Sequence, residues 1–319
     1  MKNVKKKFAV IFPGQGSQKV GMGKKLYDDH RVARDVFDLV DETLKFKLSK
    51  VIFDGPESEL TSTINTQPAL MAVSLALTKV IESESKMEFS KIASIVCGHS
   101  LGEYTALCSI NSLSIPDTAK LLSIRGKAMQ ESVLSEDTNM KAIIGLEIDL
   151  VQKFIDENIS NKICEIANDN CPGQVVLSGH SDQVEKISEI CKKNGAKITI
   201  DLKVSAPFHC SLMKPASLKM KDALSKVNLS KTKTRFINNY SAKFEQDSEN
   251  IKNLLVKQVI SRVRWRETIN LISDSGVNKI IEIGSGKVLT GLNKRMKLNL
   301  EMENISSLED VDAFLKKFC

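Results

Sequence analysis

Short unbroken apolar runs alternate along the chain with longer stretches in which apolar residues return every three or four positions. Phe8–Phe12 (FAVIF), the run through Ile92, Ile95 and Val96, and the run ending in Ile280-Ile281-Glu282-Ile283 are of the first kind. Their length and β-branched content predict strands buried on both faces. Residues 24–50 are of the second kind, with Leu26, Val32, Val36, Phe37, Val40 and Leu44 at helical spacing. Thr66-Gln67-Pro68-Ala69 reads as the opening of a helix apolar almost all round, with Pro68 in its first turn. Another helix is expected from Asp117, with Ala119, Leu122 and Met129 facing the core and Arg125 beside that face.

From about residue 135 the rhythm changes. A strand over 140–146, a helix over 149–159 and a strand over 163–168 are followed by a turn and strand (171–179), a helix (181–195) and a strand (196–204). That βαββαβ order is the ferredoxin-like split motif. After it come a helix over 214–226, a short strand at 235–239, and helices around 253–260 and 263–272. A chain of 319 residues exceeds what one core usually supports. The pattern therefore predicts an α/β core of residues 1–134 and 204–319, with a mostly parallel sheet covered on both faces. Residues 135–203 are expected to form an inserted ferredoxin-like subdomain.

Composition narrows the function classes. With 42% hydrophobic and 27% charged residues and no apolar run of membrane-spanning length, the chain reads as a soluble globule with no membrane partner. The net charge is +7, and only eight of the 46 basic residues are arginine. No aromatic-interleaved basic patch accompanies it, so nucleic acid is not expected, and an acidic protein or an anionic substrate fits the charge. Seven scattered cysteines without a C-x-x-C spacing suit reduced thiols of the cytoplasm. Four histidines form no metal-ligand cluster. The loop Pro13-Gly14-Gln15-Gly16-Ser17-Gln18 misses the G-x-G-x-x-G spacing at Lys19, leaving a polar amide, Gln15, near the end of the first strand. Gly284-Ser285-Gly286-Lys287 lacks the remaining residues of a P-loop. Neither is read as a nucleotide site.

The chemistry centres on Gly98-His99-Ser100-Leu101-Gly102, a G-x-S-x-G between an apolar run and a helical pattern. In such a strand-to-helix turn the serine sits in strained backbone and its hydroxyl stands out at the carboxyl end of the strand. The next N–H, that of Leu101, opens the helix where its dipole favours negative charge. A serine nucleophile needs a base. His99 is too close in the turn, His30 lies in a polar helix and His180 in a turn of the insertion, so His209, on the loop that rejoins the core, is the candidate. No carboxylate stands out as a third member; Asp201 and Glu282 lie on strands whose facing the pattern leaves open.

PGQGSQ at 13–18, GHSLGEY at 98–104, an arginine 25 residues past the serine, Cys171-Pro172-Gly173-Gln174, PFHCSLMKPA at 207–216 and EIGSGKVLTGL at 282–292 together resemble the malonyl-CoA:acyl carrier protein transacylases of bacterial fatty-acid synthesis. The resemblance spans essentially the whole chain. It implies an α/β-hydrolase-like core with an inserted ferredoxin-like subdomain. It further implies Ser100 as the acylated nucleophile, His209 as its base, and Gln15 and the Leu101 N–H as the oxyanion hole. Arg125 then holds the malonyl carboxylate, and the main-chain carbonyl of Gln258 orients the histidine. The partners implied are malonyl-CoA and holo acyl carrier protein, with no metal or other cofactor, because coenzyme A and phosphopantetheine are substrates. Arg262 and Ser285 depart from prolines common in the family, and touch none of these residues. A hydrolase built on the same elbow, or a silent carrier-docking scaffold, are the rival readings. Arg125 argues against the first, and the joint presence of Gln15, Ser100, Arg125 and His209 against the second.

Overall fold

A computed structural model describes residues 8–133 and 137–318. Ten strands lie among them: β1 (Phe8–Phe12), β2 (Ile95–Gly98), β3 (Thr138–Ile144), β4 (Cys164–Cys171), β5 (Gln174–His180), β6 (Ile198–Asp201), β7 (Arg235–Ile237), β8 (Phe244–Glu245), β9 (Lys279–Ile283) and β10 (Glu301–Ile305). They form two sheets. The first runs β10-β9-β1-β2-β7-β8 and is parallel except at its β7–β8 edge. The second runs β4-β5-β3-β6 and is antiparallel throughout.

The continuous apolar character of β1 follows from its central place. Phe8, Val10 and Phe12 enter one core cluster, while Ala9 and Ile11 enter another on the opposite face. A strand that buries both faces has no polar positions to alternate with. The first cluster contains the helix Thr63–Ser85, and Trp265, Ile269 and Ile272 of the helix Trp265–Asp274 close the second. In the second sheet Ile143, Ile166 and Leu177 share one face. Val151 and Phe154 of the helix Ile148–Asp156, and Val184 and Ile187 of the helix Ser181–Lys193, cover that face. The strand order is that of the split βαββαβ motif.

The two sheets are stitched at β4. Asp169 N–H donates to Val263 O at 3.0 Å, Val263 N–H donates to Ala167 O at 2.8 Å, and Arg266 Nε donates to Asp169 Oδ2 at 3.0 Å. No helix among the described residues is long and apolar enough to cross a membrane.

Several element boundaries differ from the pattern-based expectation, three of them in the segments around the site. Ile92 ends a short helix, Phe89–Ile92, and β2 begins only at Ile95, because one apolar run here serves two elements packed in the same core. The helix expected to open at Pro68 starts at Thr63, so Pro68 sits inside it. Its first turn is held from outside the apolar pattern: Asn65 and Thr66 N–H both donate to Ser62 O, and Thr66 Oγ1 donates to Leu60 O. The helix expected from Asp117 starts at Ile115, capped by Ser114 Oγ accepting from Asp117 N–H, with Pro116 in the first turn where its missing donor costs nothing.

Candidate active site

Parallel order brings the carboxyl ends of β1, β2 and β7 side by side, and the turn after β2 is wedged between the other two. Ser100 has φ 55°, a left-handed conformation costly for a residue with a Cβ. Both flanking glycines are sterically required. A Cβ on Gly98 would lie 2.1 Å from the Gly102 carbonyl, and one on Gly102 would lie 2.4 Å from Phe12 O. Asn239, just past β7, clips the turn from the other side. Its Oδ1 accepts the Ser100 N–H at 2.7 Å and its Nδ2 donates to Gly98 O at 2.8 Å.

The serine hydroxyl that this turn projects lies 2.7 Å from His209 Nε2. His209 stands on the loop between β6 and the helix Lys214–Ser225, itself at φ 60°. Its Nδ1 is 2.9 Å from the main-chain oxygen of Gln258. A carbonyl can only accept, so Nδ1 carries the proton and Nε2 is free to take one from Ser100. Gln258 is the last residue of the helix Ser248–Gln258. Its carbonyl, which also accepts the Ser261 N–H at 3.3 Å, is one of those at a helix end without a partner in the helix's own ladder, at the negative end of the dipole, where an imidazolium is stabilised. That explains why no third carboxylate was legible. Asp201 is engaged by Asn139 and Lys141, and Glu282 accepts from Leu289 and Thr290 N–H instead. Burial, and then the positive charge of Arg125, push the His209 imidazolium down to about 3, so the ring is neutral at physiological pH.

The other histidines are occupied elsewhere. His99 Nε2 pairs with Asn170 Oδ1 at 3.0 Å and its ring packs on Trp265. His30 faces Glu84, and His180 Nδ1 accepts the Ile163 N–H.

Arg125 lies beside the apolar face of its helix, Ile115–Glu131, as expected, and is inside the protein, only 1% exposed. Long cations usually carry their heads to water. Here Gly126 lets the helix approach the Thr63 backbone so closely that a Cβ would sit 2.5 Å from Thr63 O, closing that route. The guanidinium instead donates NH1 to Gln67 Oε1 at 2.8 Å, and NH2 to Gln258 Oε1 at 2.8 Å and to Ser100 Oγ at 3.0 Å. Its Nε has no partner, and no carboxylate is bonded to it among the described residues.

Gln67, Ser100, Arg125 and His209 line a cavity of about 660 Å³ between the two sheets. Gln15 and Leu101 form part of the wall beside Ser100, and Met140 and Asn168 reach in from the second sheet. Gln15 lies on the loop after β1, its side-chain amide 3.5 Å from Thr63 Oγ1. Sequence reasoning missed Asn239, Gln67 and Glu103. Each carried a signal: Glu103 is the one charge in a helix buried at every position, Gln67 a polar residue in an apolar helix, and Asn239 the second of two asparagines after the short strand β7.

Residues 9–309 match the model of the acyl transferase domain family. The malonyl CoA-acyl carrier protein transacylase of Bacillus subtilis is 42% identical over 312 residues, covering 97% of this chain and 96% of that protein. The acyl-carrier-protein S-malonyltransferase from Bartonella henselae superposes with a TM-score of 0.94 at 47% identity, over 97% of this chain and 98% of that one. A malonyl-transacylase solved in complex with a type II PKS acyl-carrier protein superposes with a TM-score of 0.93 at 37% identity, over 98% and 99% of the two chains.

Proposed function

The chain belongs to the malonyl-CoA:acyl carrier protein transacylases of the acyl transferase family, and we propose that Ser100 carries the malonyl group from coenzyme A to the phosphopantetheine thiol of acyl carrier protein. One observation carries the assignment of residues. The Ser100 hydroxyl lies within hydrogen-bond distance of a neutral imidazole, 2.7 Å, and of a buried guanidinium, 3.0 Å. A cation that close to the nucleophile suits an acyl group whose free carboxylate is one methylene from the reacting carbonyl, which is malonyl. A longer diacid would overshoot it, and a neutral acyl group would leave it unpaired.

In the first half-reaction Ser100 Oγ attacks the thioester carbonyl of malonyl-CoA while its proton passes to His209 Nε2. The tetrahedral oxyanion is held by the Leu101 N–H and by Gln15. The C–S bond then breaks, and the imidazolium returns its proton to the departing coenzyme A thiolate. In the second half the carrier thiol gives its proton to His209 and attacks the malonyl-Ser100 ester, and the released serine oxygen recovers that proton. The ring is held in one tautomer for both halves by the Gln258 carbonyl. Coenzyme A and phosphopantetheine enter as substrates, and the transfer consumes no other cofactor. Removing an oxyanion donor typically costs about 3–4 kcal/mol of transition-state stabilisation.

We read residues 135–203 as an insertion that roofs this site, and a cytoplasmic setting is in keeping with six buried free thiols among the described residues. The decisive experiment is incubation with malonyl-CoA followed by intact-mass measurement. One malonyl adduct is expected on the parent and none on Ser100→Ala, with discharge on adding holo acyl carrier protein. An adduct that water clears as fast as the carrier does would make the protein a hydrolase. No adduct on the parent would sink the proposal.

A further inference from the structure

Beneath the nucleophile runs a second row of polar side chains that the transfer steps leave unused. Glu103, on the helix Gly102–Ser109, is 1% exposed in an otherwise uncharged buried segment. Its Oε1 accepts the Asn239 N–H at 3.0 Å, and its Oε2 accepts from the side-chain amide of Gln258. The same Gln258 Nε2 donates to the Ser100 carbonyl at 2.8 Å, while Gln258 Oε1 accepts from Arg125 and the Gln258 main chain holds His209. One glutamine thus touches the carboxylate clamp with one end and the base with the other.

The orientation of its amide is not free. A guanidinium only donates, so the Gln258 oxygen must face Arg125 and its NH2 must face Ser100 O and Glu103. Glu103 must then accept at both oxygens. A carboxylate does this; a glutamine there does not, because one of its two terminal atoms is a donor. Burial pushes the Glu103 carboxyl up to about 8, and against it the two donors that meet Glu103 and the Arg125 charge favour the carboxylate.

We propose that Glu103 is a positioning residue for malonyl selectivity: it locks the Gln258 amide, which aims the Arg125 guanidinium at the Ser100 site. This rests on the reading of Arg125 as the malonyl clamp. Glu103 itself touches no substrate atom. Its bond to Asn239 could be kept by a glutamine through its carbonyl oxygen, so the Glu103→Gln variant separates this role from simple support of the turn. In that variant the remaining NH2 meets the Gln258 NH2, and one amide must turn. If Gln258 turns, it presents donors to Arg125 and the guanidinium is displaced.

The test compares kcat/KM for malonyl-CoA and for acetyl-CoA on the parent and on Glu103→Gln. Malonyl adduct formation by the parent is checked first, since failure there sinks the functional reading and not this one. Expected is a loss of roughly 10- to 100-fold for malonyl, seen mainly in KM, with a smaller loss for acetyl, so that the malonyl preference falls about threefold or more. Unchanged kinetics, or equal losses on both substrates, would overturn the proposal. Should Glu103→Gln not fold, Gln258→Met takes its place. It keeps the main-chain carbonyl on His209 and removes the amide, and the same fall in malonyl preference is expected. An unchanged ratio in that variant would equally overturn it.

Discussion

At the scale of single residues the site is a set of donors and acceptors that satisfy one another. Arg125 is where that matters most. Arg125→Ala should lose malonyl transfer by roughly 2–4 kcal/mol, the scale of an unpaired charge in a desolvated site, while accepting acetyl-CoA as well as or better than the parent. Arg125→Lys should rescue poorly, since one ammonium cannot reach Gln67, Gln258 and a substrate carboxylate together. Measured kcat/KM on both thioesters decides it, and equal losses would make Arg125 a support of the fold. The same arginine shapes the pH response. Burial and the Arg125 charge hold His209 near 3, so the neutral base persists as pH falls. Loading from acetyl-CoA, whose acyl group has no carboxylate to titrate, should stay flat from pH 7 to pH 5. A histidine at its ordinary 6.5 would already have lost about 30-fold there. Arg125→Ala removes the second-largest of the depressing causes and should move the acid limb to higher pH. A parent limb near pH 6.5 would contradict the buried-base picture.

At the scale of elements, the turn between β2 and the helix Gly102–Ser109 shows how a local motif depends on its neighbours. The glycines of G-x-S-x-G were legible as a pattern, but the reason for Gly102 lies across the sheet, where Phe12 O occupies the space a Cβ would need. Gly102→Ala should destabilise by about 1–3 kcal/mol through overpacking and abolish loading at Ser100. Gly291, in the helix Val288–Lys294, has nothing within 4 Å of an added Cβ. Gly291→Ala should be neutral or stabilise by up to about 1 kcal/mol, with loading intact. Thermal melts and adduct mass on the two variants test the contrast; a harmless Gly102→Ala would refute it. Helix starts were less legible than helix existence. Thr63 and Ile115 begin their helices earlier than apolar periodicity indicates, because capping and first-turn bonds are made by polar residues that the pattern skips.

At the scale of the whole molecule, the cavity exists because the second sheet is pressed onto the first. Two backbone bonds between β4 and Val263 and the Arg266–Asp169 pair hold it there. Arg266→Ala would leave Asp169 buried without its cation. The expected result is a loss of roughly 1–3 kcal/mol in stability and a raised KM for malonyl-CoA, with Ser100 still able to be acylated. Calorimetry and steady-state kinetics check this, and an unchanged KM would show that the roof does not shape the cavity. What the sequence by itself determined is local. Unbroken apolar runs and periods of three to four residues marked the strands and helices, the βαββαβ order marked the second sheet, and G-x-S-x-G marked the serine proposed as nucleophile, since each is read along the chain itself. Only the tertiary structure decided the rest. It placed His209 on a serine 109 positions away, turned the end of a distant helix into the group that orients it, and sealed Arg125 inside. It also set Glu103 and Asn239 beneath the turn. Those outcomes follow from the parallel order β1-β2-β7 and from close helix approach at Gly126, which depend on segments far apart in the chain and leave no periodic trace along it.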